Sequence, residues 1–194
     1  MKVLILNGPP GIGKDTLANM LCEVAPVIRG EFKHFLYVEA AQWIQDHVKG
    51  AENITTAIVK ARNENRDLKE LPWFLELSVR RILQIVSEDV VKPAMGKDYF
   101  GRVAAEYWYG KYIHHVISDG GFPEEVNAVC DKFGAENVTV IRLKAPGFTF
   151  GTDSRKYLMR DEVACRVITL EVIRGKPEST VKYLKDILLN GDRG

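Results

Sequence analysis

The sequence is poor in the features that mark most specialised classes of protein. It holds three cysteines, Cys22, Cys130 and Cys165, odd in number, widely spaced and without a C-x-x-C pair. Neither a disulfide framework nor a zinc site is therefore expected, and the three thiols are assigned to the core as small apolar residues. No apolar run approaches the roughly 20 residues that a membrane-spanning helix requires. The opening run Met1 to Leu6 stops at Asn7 and Gly8, too short for a secretory signal core, so the expected location is the cytoplasm and no membrane partner is implied. The sequons at Asn53 and Asn137 then carry no meaning. An excess of one charge sign is also missing: 27 Lys and Arg face 26 Asp and Glu, a formal net charge of +1. No global field draws the chain to nucleic acid, although a local basic cleft for phosphates stays open. Internal repeats and low-complexity tracts are absent.

What is present is an ordinary globular composition, 46% apolar and 27% charged over 194 residues, enough for one domain with a real core. Its most informative stretch is Gly8-Pro9-Pro10-Gly11-Ile12-Gly13-Lys14-Asp15-Thr16, placed between the apolar run Val3 to Leu6 and the helical pattern Leu17, Met20, Leu21, Val24. Strand, glycine-rich turn and helix in that order form the context of a phosphate-binding loop. Glycines let successive N–H groups turn inward to an anion, and the helix sets its positive end behind the same spot. Lys14 then reaches the β- and γ-phosphates. A turn without a ligand accounts for the glycines but not for a lysine at the mouth of the helix. The expected nucleotide contacts are Gly8, Gly11, Ile12, Gly13, Lys14, Asp15 and Thr16, with ATP and Mg²⁺ as the implied cofactors. Where the general loop has Ser or Thr after its lysine, this chain has Asp15. That carboxylate either gains about 0.3 to 1 kcal/mol from the helix dipole or joins the Mg²⁺ shell.

Downstream, apolar periodicity predicts a short strand over 32–36, a helix over 38–48, a solvated helix within 53–67, and a strong helix carrying Leu75, Val79, Ile82, Leu83, Val86 and Val90. A helix opens after Asp98. A strand over 112–119 ends at Asp119, a helix runs from Pro123 to Gly134, a strand covers 138–143, and a strand over 167–170 precedes a closing helix over 177–189. Alternating strands and helices imply an α/β fold, a parallel sheet with helices on both faces and ligands at the carboxyl ends of the strands. The expected organisation is a single domain over 1–194, with a helical insertion at about 50–75 for the acceptor and a lid loop at about 146–160. Leu77 and Ile85 lie off the main stripe of their helix, so a second contact is expected there, from the inserted segment or from the partner of a homodimer.

Asp119 ends its strand where P-loop enzymes keep an acid for Mg²⁺ or its waters; the plainer account is a turn residue. Arg155 and Arg160, in the lid loop, are the cations expected near the moving phosphoryl group, because such catalysis is mostly positioning and charge neutralisation. His114 and His115 are expected to pack, and Trp43, Trp73 and Trp108 to be core rather than base-stacking residues.

The spacing G-x-x-G-x-G-K-x-T resembles the nucleoside monophosphate kinases, and its Gly-Lys-Asp-Thr ending resembles the deoxynucleoside monophosphate kinases of large tailed phages. Ser78-Val79-Arg80-Arg81-Ile82-Leu83-Gln84 is similar to a stretch of that family, and Asp119 to Glu125 matches its Asp-Val-Arg-Phe-Pro-Asn-Glu signature at the Phe-Pro pair while replacing the arginine with Gly121. The acid of a further signature falls at Glu39. The resemblance implies a P-loop core that moves the ATP γ-phosphoryl to a deoxynucleoside monophosphate, with Thr16 on the α-phosphate, Glu39, Arg80 and Gln84 on the acceptor, and Asp15 and Asp119 near the metal. Other acceptors, such as another small phosphorylated metabolite, and a nucleotide-dependent ATPase or switch remain open on the same loop.

Overall fold

The computed structural model describes residues 1–190 except 112, 152 and 154. The chain divides into two compact units, Met1–Glu31 with Gly101–Gly194, and Phe32–Phe100.

The first unit is built on a five-stranded parallel sheet in the order β2-β5-β1-β6-β7. Its strands are β1 (Val3–Asn7), β2 (Val27–Gly30), β5 (His114–Ile117), β6 (Val138–Lys144) and β7 (Arg166–Glu171). Every residue of β1 is buried, which is what a central strand covered on both faces requires and why its sequence is a continuous apolar run. On one face, Leu4, Leu6, Val116, Ile141 and Leu143 pack against Leu17 and Leu21 of α1 (Lys14–Val24) and Val181, Leu184 and Leu188 of α8 (Pro177–Asn190). The other face carries α6 (Tyr99–Tyr109), which begins in the second unit, and α7 (Pro123–Phe133). There His115 is fully buried, hydrogen-bonded through Nε2 to the Trp108 carbonyl and set edge-on to Phe133. Burial pushes its pKa down, so this histidine is a packing residue, as is Trp108. A 3₁₀ turn (Ala135–Asn137) leads from α7 into β6. Three layers thus form an α/β fold, and the strand order reverses between β1 and β6, so a crevice opens at the carboxyl ends of these two strands. Tyr112, expected to open β5, lies outside the described residues, as do positions 152 and 154 of the 146–160 loop.

The expected strand over 32–36 is not there. β2 lies earlier, directly after Pro26, and Lys33 already starts α2 (Lys33–His47), whose Tyr37, Ala40, Ala41 and Ile44 are buried. Phe32 is a buried residue at the head of that helix rather than a strand residue.

The second unit gathers α2, α3 (Thr56–Glu64, capped by the Thr55 hydroxyl), a small hairpin of β3 (Pro72–Phe74) and β4 (Leu77–Ser78), and α4 (Val79–Gln84). The 50–75 segment lies wholly within it. The helix expected to carry both Leu75 and Val90 is shorter at its start and shifted in phase at its end. Leu75 and Glu76 form the tip of the hairpin with left-handed φ values of 53° and 57°, and the helix begins only after Ser78, whose hydroxyl accepts from the Arg81 N–H. From Ile85 to Val91 the turns widen to a π-helix, followed by α5 (Lys92–Met95). One extra residue in the turn rotates the stripe, so Val91 is buried and Val90 is 40% exposed. Leu77 packs against the unit's own core of Val59, Val79, Ile82 and Phe100. No helix among the described residues is long and apolar enough to cross a membrane.

Candidate phosphate-binding site

The site grows from the end of β1. Gly11 and Gly13 take φ values of 77° and 98°, conformations that a side chain would strain, and so bend the chain from strand to helix within a few residues. α1 then starts at Lys14 with no side-chain cap, leaving first-turn N–H groups without intrahelical acceptors. Ile12 turns its side chain down into the core beside Leu6 and Leu143, so only its backbone faces the loop. Thr16 is exposed on the first turn.

Lys14 is buried, its ammonium donating to the carbonyls of Gly8 at 2.6 Å and Pro9 at 2.8 Å. Burial, and next the Arg155 guanidinium, lower its pKa to about 8, against the pull of Asp15, Asp153 and Asp119. A buried ammonium held only by neutral carbonyls is a strong seat for an anion. The same five charges define the cluster. Arg155 forks onto Asp153, with Nε to Oδ1 at 2.9 Å and Nη2 to Oδ2 at 2.6 Å. The fork raises the arginine's pKa and lowers that of Asp153, so both stay ionised.

Asp15 is exposed on the other flank. Its Oδ1 accepts from the Ser118 hydroxyl at 2.9 Å and pairs with Arg29 at 2.5 Å; Arg29 also bonds Asn19 and Glu31. The Ser118 bond brings the end of β5, where Asp119 follows, beside the first turn of α1. Carboxylate and hydroxyl oxygens are the hard donors that Mg²⁺ prefers, and one or two carboxylates with waters and phosphates suffice for it. Among the described residues no group of three or more metal-ligating side chains of the Asp, Glu, His or Cys type is assembled.

A cleft of about 440 Å³ runs from Gly11, Gly13 and Thr16 past Phe148 to Val172, Ile173 and Arg174. Its walls come from the loops after β1, β6 and β7, so it lies in the crevice at the strand-order reversal. Apolar side chains with one arginine suit a flat heterocycle next to a phosphate loop.

The remaining expected residues fall elsewhere. Arg160 is an exposed residue of a turn closed by Met159 and Glu162. Arg80 and Gln84 are exposed on α4 of the second unit, with Arg80 paired to Glu70 at 3.0 Å. Glu39, in the same unit, accepts from the Tyr99 hydroxyl at 2.5 Å. Sequence reasoning missed Asn7, Arg29, Asp153 and the cleft residues Phe148, Ile173 and Arg174. Only Asn7 left a local signal, a lone amide closing a buried apolar run.

No protein-family model matches the chain, and no curated protein matches it in sequence. Solved structures do: 41 chains match, among them a sugar kinase from Janibacter sp. HTCC2649 in unliganded form. The likeness to it covers 95% of this chain and 92% of that one, with a TM-score of 0.50 at 12% identity. The chain therefore shares the fold of a kinase.

Proposed function

We propose that the chain is an ATP-dependent phosphotransferase whose acceptor is a nucleoside monophosphate, preferably a deoxynucleotide. The observation that carries the donor half is Lys14, a buried ammonium at the mouth of α1 beside Arg155. Phosphoryl transfer needs charge neutralisation and alignment rather than covalent help, and two cations with a helix N-terminus provide both. The cleft from Thr16 to Arg174 would take the adenine. Asp15 and Asp119 would hold Mg²⁺ or its waters, the ion supplying further neutral balance to the phosphates; an Asp15→Asn variant should then need more Mg²⁺ for half-maximal turnover, and a superimposable Mg²⁺ titration would leave Asp15 as a helix-capping charge paired with Arg29. Glu39, Arg80 and Gln84 are the acceptor residues that the family resemblance supports, with Arg160 as a second lid cation.

The sugar kinase likeness favours one rival, transfer to a sugar hydroxyl. A hydroxyl needs a base to remove its proton, for which Asp119 is the candidate, whereas a phosphate acceptor arrives ionised. A coupled assay of ADP release with deoxynucleoside monophosphates, ribonucleoside monophosphates, sugars and no acceptor decides. Stimulation by a monophosphate is the expected result; stimulation by a sugar establishes the rival, and acceptor-independent turnover makes the chain an ATPase.

A further inference from the structure

Asn7 closes the buried strand β1 one residue before the phosphate loop, and it is fully buried. Its amide is also fully used. Nδ2 donates to the Gly120 carbonyl at 3.1 Å and to the Lys156 carbonyl at 3.0 Å, and Oδ1 accepts from the Leu158 N–H at 3.0 Å. One side chain thus ties two main-chain segments to the end of β1: the turn after β5, and the stretch that begins with Arg155. Gly121 lies next to the first tie and Arg155 next to the second. A Cβ placed on Gly121 would fall 2.5 Å from Cδ and 2.6 Å from Cγ of Arg155, so the arginine's methylenes occupy the space that any side chain at 121 would need. From that perch the guanidinium forks onto Asp153.

We propose that Asn7 is the positioning residue that seats Arg155 across the bare face of Gly121, so that bound triphosphate is met by Lys14 from the loop and by Arg155 from the segment facing it. The inference rests on the phosphotransferase reading. A buried amide that merely stabilises the strand end would have no reason to act through Arg155, and this is where the two accounts part.

Calorimetric titration of ATP into the full chain tests it. Arg155→Ala should weaken binding about tenfold or more, the scale for a charge-assisted contact to phosphate. Asn7→Asp keeps the shape but turns the donor pair into an acceptor facing two carbonyls, and should weaken binding comparably. The double variant Asn7→Asp with Arg155→Ala should bind no more weakly than Arg155→Ala alone. Losses that add, or no loss in Asn7→Asp, overturn the proposal. If Asn7→Asp does not fold, Gly121→Ala carries the test. It leaves Asn7 intact, crowds the Arg155 stem and should lose affinity like Arg155→Ala; unchanged affinity overturns the proposal. Wild-type protein that loses ATP affinity on Lys14→Ala but not on Arg155→Ala overturns this inference alone, whereas wild-type protein that binds no ATP overturns the donor reading with it.

Discussion

Two polar clusters, one in each unit, sit in opposite settings. Around the phosphate loop, Lys14 is 9% exposed, Asn7 wholly buried and Arg155 forked onto Asp153, so each group is held in place before any ligand arrives. In the second unit, Arg80 and Glu70 form a pair whose side chains are 56% and 55% exposed. A desolvated cation acts strongly on an anion and is fixed in geometry; a solvated one is screened and loses rotamer freedom whenever it binds. The cluster around Lys14 is thus preorganised by the fold, while the Arg80–Glu70 pair would be reordered by anything it bound.

The comparison is broken most severely at Lys14. Lys14→Ala should lower turnover about 10²- to 10³-fold, the usual cost of removing one preorganised charge-stabilising donor. Stability should not fall with it. The folded pKa of Lys14, about 8, lies below its unfolded value of 10.5, so the ammonium opposes folding fully below about pH 8 and progressively less up to pH 10.5, and the melting temperature of the variant at neutral pH should match or exceed wild type. Unchanged turnover would remove Lys14 from the chemistry.

A smaller effect is expected at Arg80. Arg80→Ala should raise the acceptor KM about tenfold, as the loss of one charged hydrogen-bonding contact implies. Its melting temperature should barely move, because an exposed ion pair is worth only about 0 to 1 kcal/mol. Arg81→Ala is the control, and equal small effects on KM would make Arg80 a solvated helix residue.

The smallest effect sharpens the contrast from the other side. Leu75 and Glu76 hold left-handed φ values at the hairpin tip, where glycine is at ease. Glu76→Gly should stabilise the chain by roughly 0.5 to 1 kcal/mol in chemical denaturation without changing kinetics. Destabilisation would show that the tip is not strained.

How much was legible in the sequence depends on whether a feature is local in the chain. The strand, glycine turn and helix from Val3 to Val24 are local, their residues contiguous, so the sequence alone places them. The sheet's central strands announce themselves by burial on both faces, and α7 by its Pro and Gly ends. The hairpin at Leu75 and Glu76 escaped because neither residue is a turn former and the apolar period runs straight across it, although Ser78 offered a helix cap. The π-turn that exchanges Val90 for Val91 leaves no periodic trace until the backbone is seen. Asn7, Gly121 and Arg155 meet only in space, Asn7 and Lys156 being 149 positions apart, and no spacing rule connects them.

The central claim is that Lys14 waits in a desolvated seat for a polyphosphate, and proton release or uptake on binding reads it directly. With a pKa of about 8 in the free protein, a good part of Lys14 is neutral at mildly alkaline pH. Bound phosphates favour the charged form, raising that pKa, so binding must draw a proton from solution and affinity must fall as pH rises above about 8. Titration of ATP at about pH 8.5 in buffers of different ionisation enthalpy should show uptake on the order of half a proton or more, absent in Lys14→Met. Proton-neutral binding in the wild type, or uptake that survives in Lys14→Met, would contradict the account.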